Sequence, residues 1–182
     1  MKDRFTANGN DLSYYPLLFL ALEETKQGDV IEMGTGHGST LLLHDYCKIN
    51  NRWLFSYDEK QVWLDKFIHL KSDMHSLRLV NDWDIVKETH MKVEEDQPSV
   101  VFIDHAPGER RKEDIVHFKD VRGILVIHDT EPTGAGDYQM RQHWGKFKYI
   151  VEVKTDGAWA SALSNHIDIT KWKGIWGNYT IS

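Results

Sequence analysis

Short apolar runs recur along the chain, with helical patterning between them. Asp29–Met33, Trp53–Tyr57, Leu77–Val80, Ser99–Ile103 and Gly123–Ile127 read as strands. The fourth and fifth are almost continuously apolar, as strands buried on both faces should be. Lys148–Val153 and Trp159–Leu163 alternate more, and Asp156-Gly157 between them is a turn signal, so this pair predicts a hairpin at a sheet edge. Ser13–Lys26 is apolar nearly all round and predicts a buried helix, with Pro16 tolerated in its first turn. Helices are also expected over Ser39–Ile49, Lys60–Lys71, Glu109–Lys119 and Asp137–Trp144, while Trp83–Met91 carries the weakest pattern. Strands alternating with helices imply βαβ units and a parallel sheet, hence an α/β fold.

No repeat or linker divides the 182 residues, a length that suits one domain of about 100–200 residues. A single domain over 1–182 is expected, with a covering helix in 1–27, a core in 28–164 and a tail in 165–182. The net charge of −6 argues against nucleic acid as the partner. One cysteine, Cys47, excludes an internal disulfide and Cys-rich zinc modules, and its apolar helix suggests a core role. The longest apolar run, Tyr14–Leu22, is far short of the roughly 20 residues of a membrane span. No signal-peptide pattern opens the chain, so a cytoplasmic location and no membrane partner are expected.

The most specific local signal is Val30-Ile31-Glu32-Met33-Gly34-Thr35-Gly36-His37-Gly38-Ser39-Thr40. A buried strand runs into Gly-x-Gly-x-Gly, and a helix then opens. Glycines let a ligand approach the backbone, and the helix start offers unpaired N–H groups. Asp58 closes the second strand 20 residues after Gly38, where an acid suits ribose hydroxyls; Glu59 is its neighbour. Dinucleotide sites prefer Gly-x-Gly-x-x-Gly, whereas here Ser39 stands at the last glycine's place. Glu32 would repel a pyrophosphate but suits an ammonium group. S-adenosylmethionine carries ribose, adenine and such an ammonium.

These residues, with an Asp ending the fourth strand and a closing hairpin, resemble the class I S-adenosylmethionine-dependent methyltransferases over about Val30–Ser164. The resemblance implies a Rossmann-like three-layer α/β/α sandwich. Its sheet would have seven strands, mostly parallel, with the last antiparallel and three helices on each face. It also implies that Glu32, Gly34, Thr35, Gly36, Gly38 and Ser39 hold the methionine part of S-adenosyl-L-methionine and that Asp58 holds the ribose. Asp82 and Trp83 would border the adenine, although a helix cap and core packing are equally open for those two.

Asp104-His105 and His128-Asp129 fall at the carboxyl ends of the fourth and fifth strands, where ligands of open α/β sheets bind. Two functional readings follow for this cluster, beside the alternative that each Asp caps the following turn and each His is a satisfied, half-buried histidine. His105, His128 or Asp129 acts as a general base on a hydroxyl or amine acceptor. Alternatively Asp104 and Asp129, with His128, hold a divalent metal. The fifth-strand segment resembles that of small magnesium-using O-methyltransferases, which carry an acid pair where this chain has His128-Asp129. Arg110 or Arg111 either meets an acidic substrate group or pairs with Glu113 and Asp114 on a solvated face. Gly134–Gly136 is a candidate lid. Trp172, Ile175, Trp176 and Tyr179 in the tail suit a cover over the site or a homodimer contact. The expected function is methyl transfer to a small-molecule acceptor, with a hydroxyl as target. The alternatives are a nicotinamide-dependent oxidoreductase and a non-catalytic nucleoside-binding module.

Overall fold

The computed structural model describes residues 12–92, 97–132, 138–177 and 179–182. Among them are nine strands: β1 (Val30–Met33), β2 (Leu54–Asp58), β3 (His75–Leu79), β4 (Val100–Ile103), β5 (Ile124–His128), β6 (Tyr149–Val153), β7 (Ala160–Ser164), β8 (Gly174–Trp176) and β9 (Tyr179–Ile181). They form one sheet in the order β3-β2-β1-β4-β5-β7-β6-β9-β8. The first five are parallel neighbours, and β7 enters antiparallel between β5 and β6.

Alternation along the strands divides the core in two. Val30, Leu54, Val100, Phe102 and Val126 meet Leu17, Leu18 and Leu22 of α1 (Tyr15–Thr25) and Leu43 and Cys47 of α2 (Ser39–Ile49) on one face. Ile31, Met33, Ile103 and Ile127 meet Val86 of α4 (Asp84–His90), Ile115 of α5 (Arg111–His117) and Trp144 on the other. The remaining helix, α3 (Gln61–Phe67), packs along β2 and β3. The three-layer α/β/α arrangement is therefore present.

Three expectations need correction. The sheet has nine strands rather than seven, because the segment expected as a covering tail forms the β8–β9 hairpin instead. This hairpin adds to β6 through Val153 and Ile181, so the β6–β7 pair is not the edge. Ile-Trp and Tyr-Thr-Ile flanking Gly177-Asn178 favour that turn over a loose tail. Its aromatics lie at the sheet edge: Trp176 packs 6.1 Å from Phe19 of α1. Finally, the helix expected to end at Trp144 is a 3-10 turn over Met140–Lys146. Asp137 and the candidate lid Gly134–Gly136 lie outside the described residues, as do residues 1–11. No helix of the described residues is long and apolar enough to cross a membrane.

Candidate active site at the carboxyl ends of the parallel strands

The turn after β1 is held from beneath. Gly36 N–H donates to Thr40 Oγ1, and Thr40 Oγ1 donates to Glu32 Oε1, both over 2.9 Å. Glu32 is fully buried, and its Oε2 has no partner. Burial pushes its carboxyl up to about 7, against the opposing pull of the Ser56, Ser39 and Thr40 hydroxyls. Ser56 stands opposite Glu32 on β2, and its hydroxyl is 3.0 Å from His75 Nε2. His75 Nδ1 in turn faces His44 Nδ1 of α2 at 3.0 Å. This polar seam runs beneath α2 to a cavity of about 460 Å³ lined by His44, His75 and Cys47.

Two glycines of the turn are dictated by close approach. Gly34 has φ +95°, and a Cβ there would lie 2.6 Å from the His105 Cα and 2.7 Å from the Asp104 carbonyl. A Cβ on Gly38 would run into the Tyr14 hydroxyl. The chain entering α1 therefore covers the glycine turn, and Tyr15 Oη donates to the Gly38 carbonyl over 3.1 Å. Nothing in the sequence pattern distinguished Tyr14 from the other apolar positions of its run.

Asp58 is buried at the end of β2, beside the turn. Its Oδ2 accepts from both Thr35 N and Thr35 Oγ1, and its Oδ1 accepts from Lys60 N. Glu59 pairs loosely with Lys60 at 3.7 Å. Asp82 Oδ1 accepts from Asp84 N at the start of α4, which is the capping arrangement. Trp83 is buried, stacks on His105 at 4.1 Å and donates Nε1–H to the Ala106 carbonyl. Asp82 thus makes a local turn just ahead of α4, and Trp83 packs beside the strand ends.

His105 is turned away from the ligand side. It is 1% exposed, with Nε2 2.8 Å from Asp114 and Nδ1 3.2 Å from the Ala106 carbonyl. The other three residues of the expected cluster converge. His128 Nδ1 lies 3.3 Å from Asp104 Oδ1 and 3.5 Å from Asp129 Oδ1. Carboxylates only accept, so the proton belongs on Nδ1, and Nε2 of the neutral ring is left as an acceptor. That Nε2 is buried and has no partner. Burial disfavours the imidazolium, but Asp104 and Asp129 outweigh it and raise the His128 pKa. Burial alone would raise Asp104; His128 and Arg111 outweigh it and hold its carboxyl below the usual range.

Arg111 is the residue that ties these groups together. It is 6% exposed, and its guanidinium reaches Asp129 Oδ2 at 2.9 Å and Asp104 Oδ1 at 3.1 Å. It also donates to the His105 carbonyl at 2.7 Å and the His128 carbonyl at 3.2 Å. Asp129 sits in the left-handed region, φ +55°, and Arg111 fixes that turn from both sides. Arg110 instead joins a surface ladder with Asp84, Glu113 and Asp114.

Ligand atoms of Asp104, His128 and Asp129 all lie within 4.8 Å of one another, which matches a metal-binding set by residue type. The donors do not fit a divalent ion as arranged. A guanidinium already occupies both carboxylates, and a protonated Nδ1 faces them.

A cleft of about 310 Å³ joins the two halves. Thr35, Gly36, Gly38 and Ser39 line one end, Asp104, His128 and Asp129 the other, and Tyr14, His37, Trp63 and Ala158 complete the wall. Glu32, Asp58, Asp82, Trp83 and His105 stand outside this lining; the first two support its floor and side.

No family model matches the chain, and no curated protein matches it in sequence. Solved structures do. The O-methyltransferase TomG from Streptomyces achromogenes, involved in tomaymycin synthesis and solved with S-adenosylmethionine, superposes with a TM-score of 0.62 at 14% identity, over 82% of this chain and 78% of that one. An O-methyltransferase from Bacillus cereus, solved with S-adenosylhomocysteine, gives 0.60 at 11% identity over 88% and 84%. Cofactor-bound Rv0187 from MTB gives 0.60 at 17% identity over 89% and 94%. With its strand order, its antiparallel β7 and its glycine turn after β1, the chain has the fold of the class I S-adenosylmethionine-dependent methyltransferases.

Proposed function

We propose that this chain transfers the methyl group of S-adenosyl-L-methionine to a hydroxyl of a small-molecule acceptor, with His128 as the general base. The observation that carries the reading is one cleft bounded by the glycine turn at one end and by Asp104, His128 and Asp129 at the other. S-adenosylmethionine supplies a methyl group on a sulfonium whose sulfur departs as a neutral thioether. The backbone of Thr35–Ser39 binds the amino-acid part, and the ionised form of Glu32 beneath the turn complements its ammonium. Asp58 retains lone-pair capacity on Oδ1 for a ribose hydroxyl. Asp104 and Asp129 carry two negative charges against the one positive charge of Arg111, and the net negative charge that remains suits the sulfonium.

His128 takes the acceptor's hydroxyl proton on Nε2 as the oxygen bonds to the methyl carbon and the carbon–sulfur bond breaks. Asp104 fixes the tautomer that leaves Nε2 basic. Base catalysis of this kind contributes about 10²–10⁴ in rate. The reading keeps the acceptor small because the cleft is bounded by Tyr14 and Ala158. Two solved structures of this fold, O-methyltransferases holding S-adenosylmethionine or S-adenosylhomocysteine, support it further.

The test is calorimetric titration with S-adenosylmethionine and, separately, NAD, followed by an acceptor screen with the donor's methyl group labelled. Binding of the methyl donor alone and label transfer to a hydroxyl compound is the expected result. NAD binding without methyl-donor binding would overturn the assignment. Methyl-donor binding with no transfer to any hydroxyl compound, but with transfer to an amine, would overturn the acceptor class.

A further inference from the structure

We infer that Arg111 is the built-in cation of this site: its guanidinium bridges Asp104 and Asp129, occupying an oxygen of each where a divalent metal would have to bind, so the chain takes up no metal there. The inference concerns metal uptake and stands whether or not the chain methylates a hydroxyl.

The geometry has three parts. First, the two carboxylates belong to different strand ends, β4 and β5, and the Arg111 guanidinium bridges them, at 3.1 and 2.9 Å. Second, the guanidinium cannot easily leave. Its Nε and one terminal nitrogen are committed to the His105 and His128 carbonyls, at 2.7 and 3.2 Å, and it is 6% exposed. Withdrawing it would strand a buried charge and two acceptors, which is strongly unfavourable. Third, His128 Nδ1 faces the same two carboxylates, at 3.3 and 3.5 Å, so a second donor points at them.

A divalent ion of magnesium type needs several oxygen ligands at about 2.1 Å. Here one oxygen of each carboxylate already accepts from Arg111, and His128 faces Asp104 and Asp129 with Nδ1 protonated. A metal would have to displace the guanidinium against like-charge repulsion at a few ångströms. The same contacts make Arg111 a positioning residue. It holds the ends of β4 and β5 in register through two carbonyls, and through Asp104 it holds the ring of His128.

The experiment is titration of Mn²⁺, followed by electron paramagnetic resonance of the free ion, against the wild-type chain, Asp104→Asn, Arg111→Lys, Arg111→Met and Arg111→Met with Asp104→Asn. Wild type and Arg111→Lys are expected to bind no Mn²⁺ tighter than millimolar. Arg111→Met is expected to gain affinity at least about tenfold by releasing two carboxylates, and Asp104→Asn to abolish that gain. Wild-type binding of one Mn²⁺ that Asp104→Asn removes would overturn the inference, and this arm needs no Arg111 variant to fold. Circular dichroism checks the folding of Arg111→Met; a folded Arg111→Met without added affinity would equally overturn the inference. Because Mn²⁺ uptake is read without acceptor or methyl donor, failure here is distinguishable from failure of the proposed methyl transfer.

Discussion

Thr35 holds Asp58 twice through a single oxygen: its backbone N–H and its Oγ1 each lie 2.9 Å from Oδ2. Lys60 N adds a third bond, to Oδ1. Three of the roughly four lone-pair positions of the carboxylate are therefore used within the chain. What remains suits one ribose hydroxyl. Asp58→Ala is expected to weaken methyl-donor binding at least about tenfold and to lower the melting temperature, since the buried Thr35 N–H and the partly buried Lys60 N–H lose their acceptor. Thr35→Ala frees a position on Oδ2 and is expected to bind the donor no more weakly than wild type. Calorimetry on both variants decides the matter, and unchanged affinity in Asp58→Ala would remove the ribose role.

His128 should impose a pH limb on turnover. A base must be neutral to act, and Asp104 and Asp129 raise its pKa above the ordinary 6.5 despite burial. Turnover is expected to climb with pH through a midpoint above 6.5. Asp104→Asn removes the main stabiliser of the imidazolium, so its limb should move to lower pH. His128→Asn is expected to lower kcat about 10²–10⁴-fold while S-adenosylhomocysteine affinity stays within about twofold. A limb that does not move in Asp104→Asn would assign the base elsewhere.

Glu32 links stability to pH in the opposite sense from most carboxylates. Its folded pKa, about 7, lies above the value of 4.5 for an ordinary glutamate. Between those values the folded chain holds a proton that the unfolded chain has lost, so stability falls as pH rises. The deficit is complete above pH 7 and absent below about 4.5, with a size on the order of 3 kcal/mol. Glu32→Gln should therefore melt higher than wild type at pH 8, with the difference shrinking toward pH 5. It should also bind the methyl donor more weakly. Thermal melts across this range, without ligand, provide the check.

Gly38 carries a packing prediction. Its missing side chain is the space taken by the Tyr14 hydroxyl, with Leu12 Cδ2 2.8 Å from where a Cβ would be. Gly38→Ala is expected to destabilise the chain by about 1–3 kcal/mol. Tyr14→Phe in the same chain should recover part of the loss. Denaturant melts of the two variants test this, and no recovery would place the clash on Leu12.

The strands were legible because buried parallel strands are nearly uniform apolar runs, and the glycine turn because close approach leaves no other residue possible at Gly34. The β8–β9 hairpin also had a local signal, Gly177-Asn178 between alternating residues, which the aromatic content of the tail obscured. Arg111 was not separable from Arg110 by sequence. Arg110 closes a 3-10 turn and Arg111 opens α5, and the geometry of that junction sends Arg111 to the strand ends and Arg110 toward Asp84 and Glu113. His105 and Trp83 show a related limit: polar and aromatic residues at a strand's carboxyl end either face the ligand or fold back on each other, and here they stack.

Helix α2 meets the sheet through Thr40 on Glu32 and His44 on His75, one helical turn apart. Apolar contacts have no preferred direction, so a helix resting on them alone can slide by fractions of a turn. Hydrogen bonds to β1 and β3 forbid that, because displacement by one residue, about 1.5 Å, would break both. The helix is thus indexed against the strands like a ruler with two pins. Gly38 and Ser39, at its tip, enter the cleft at a height set by groups buried well behind them. Core substitutions at His44 or His75, remote from any ligand, would change where that tip stands.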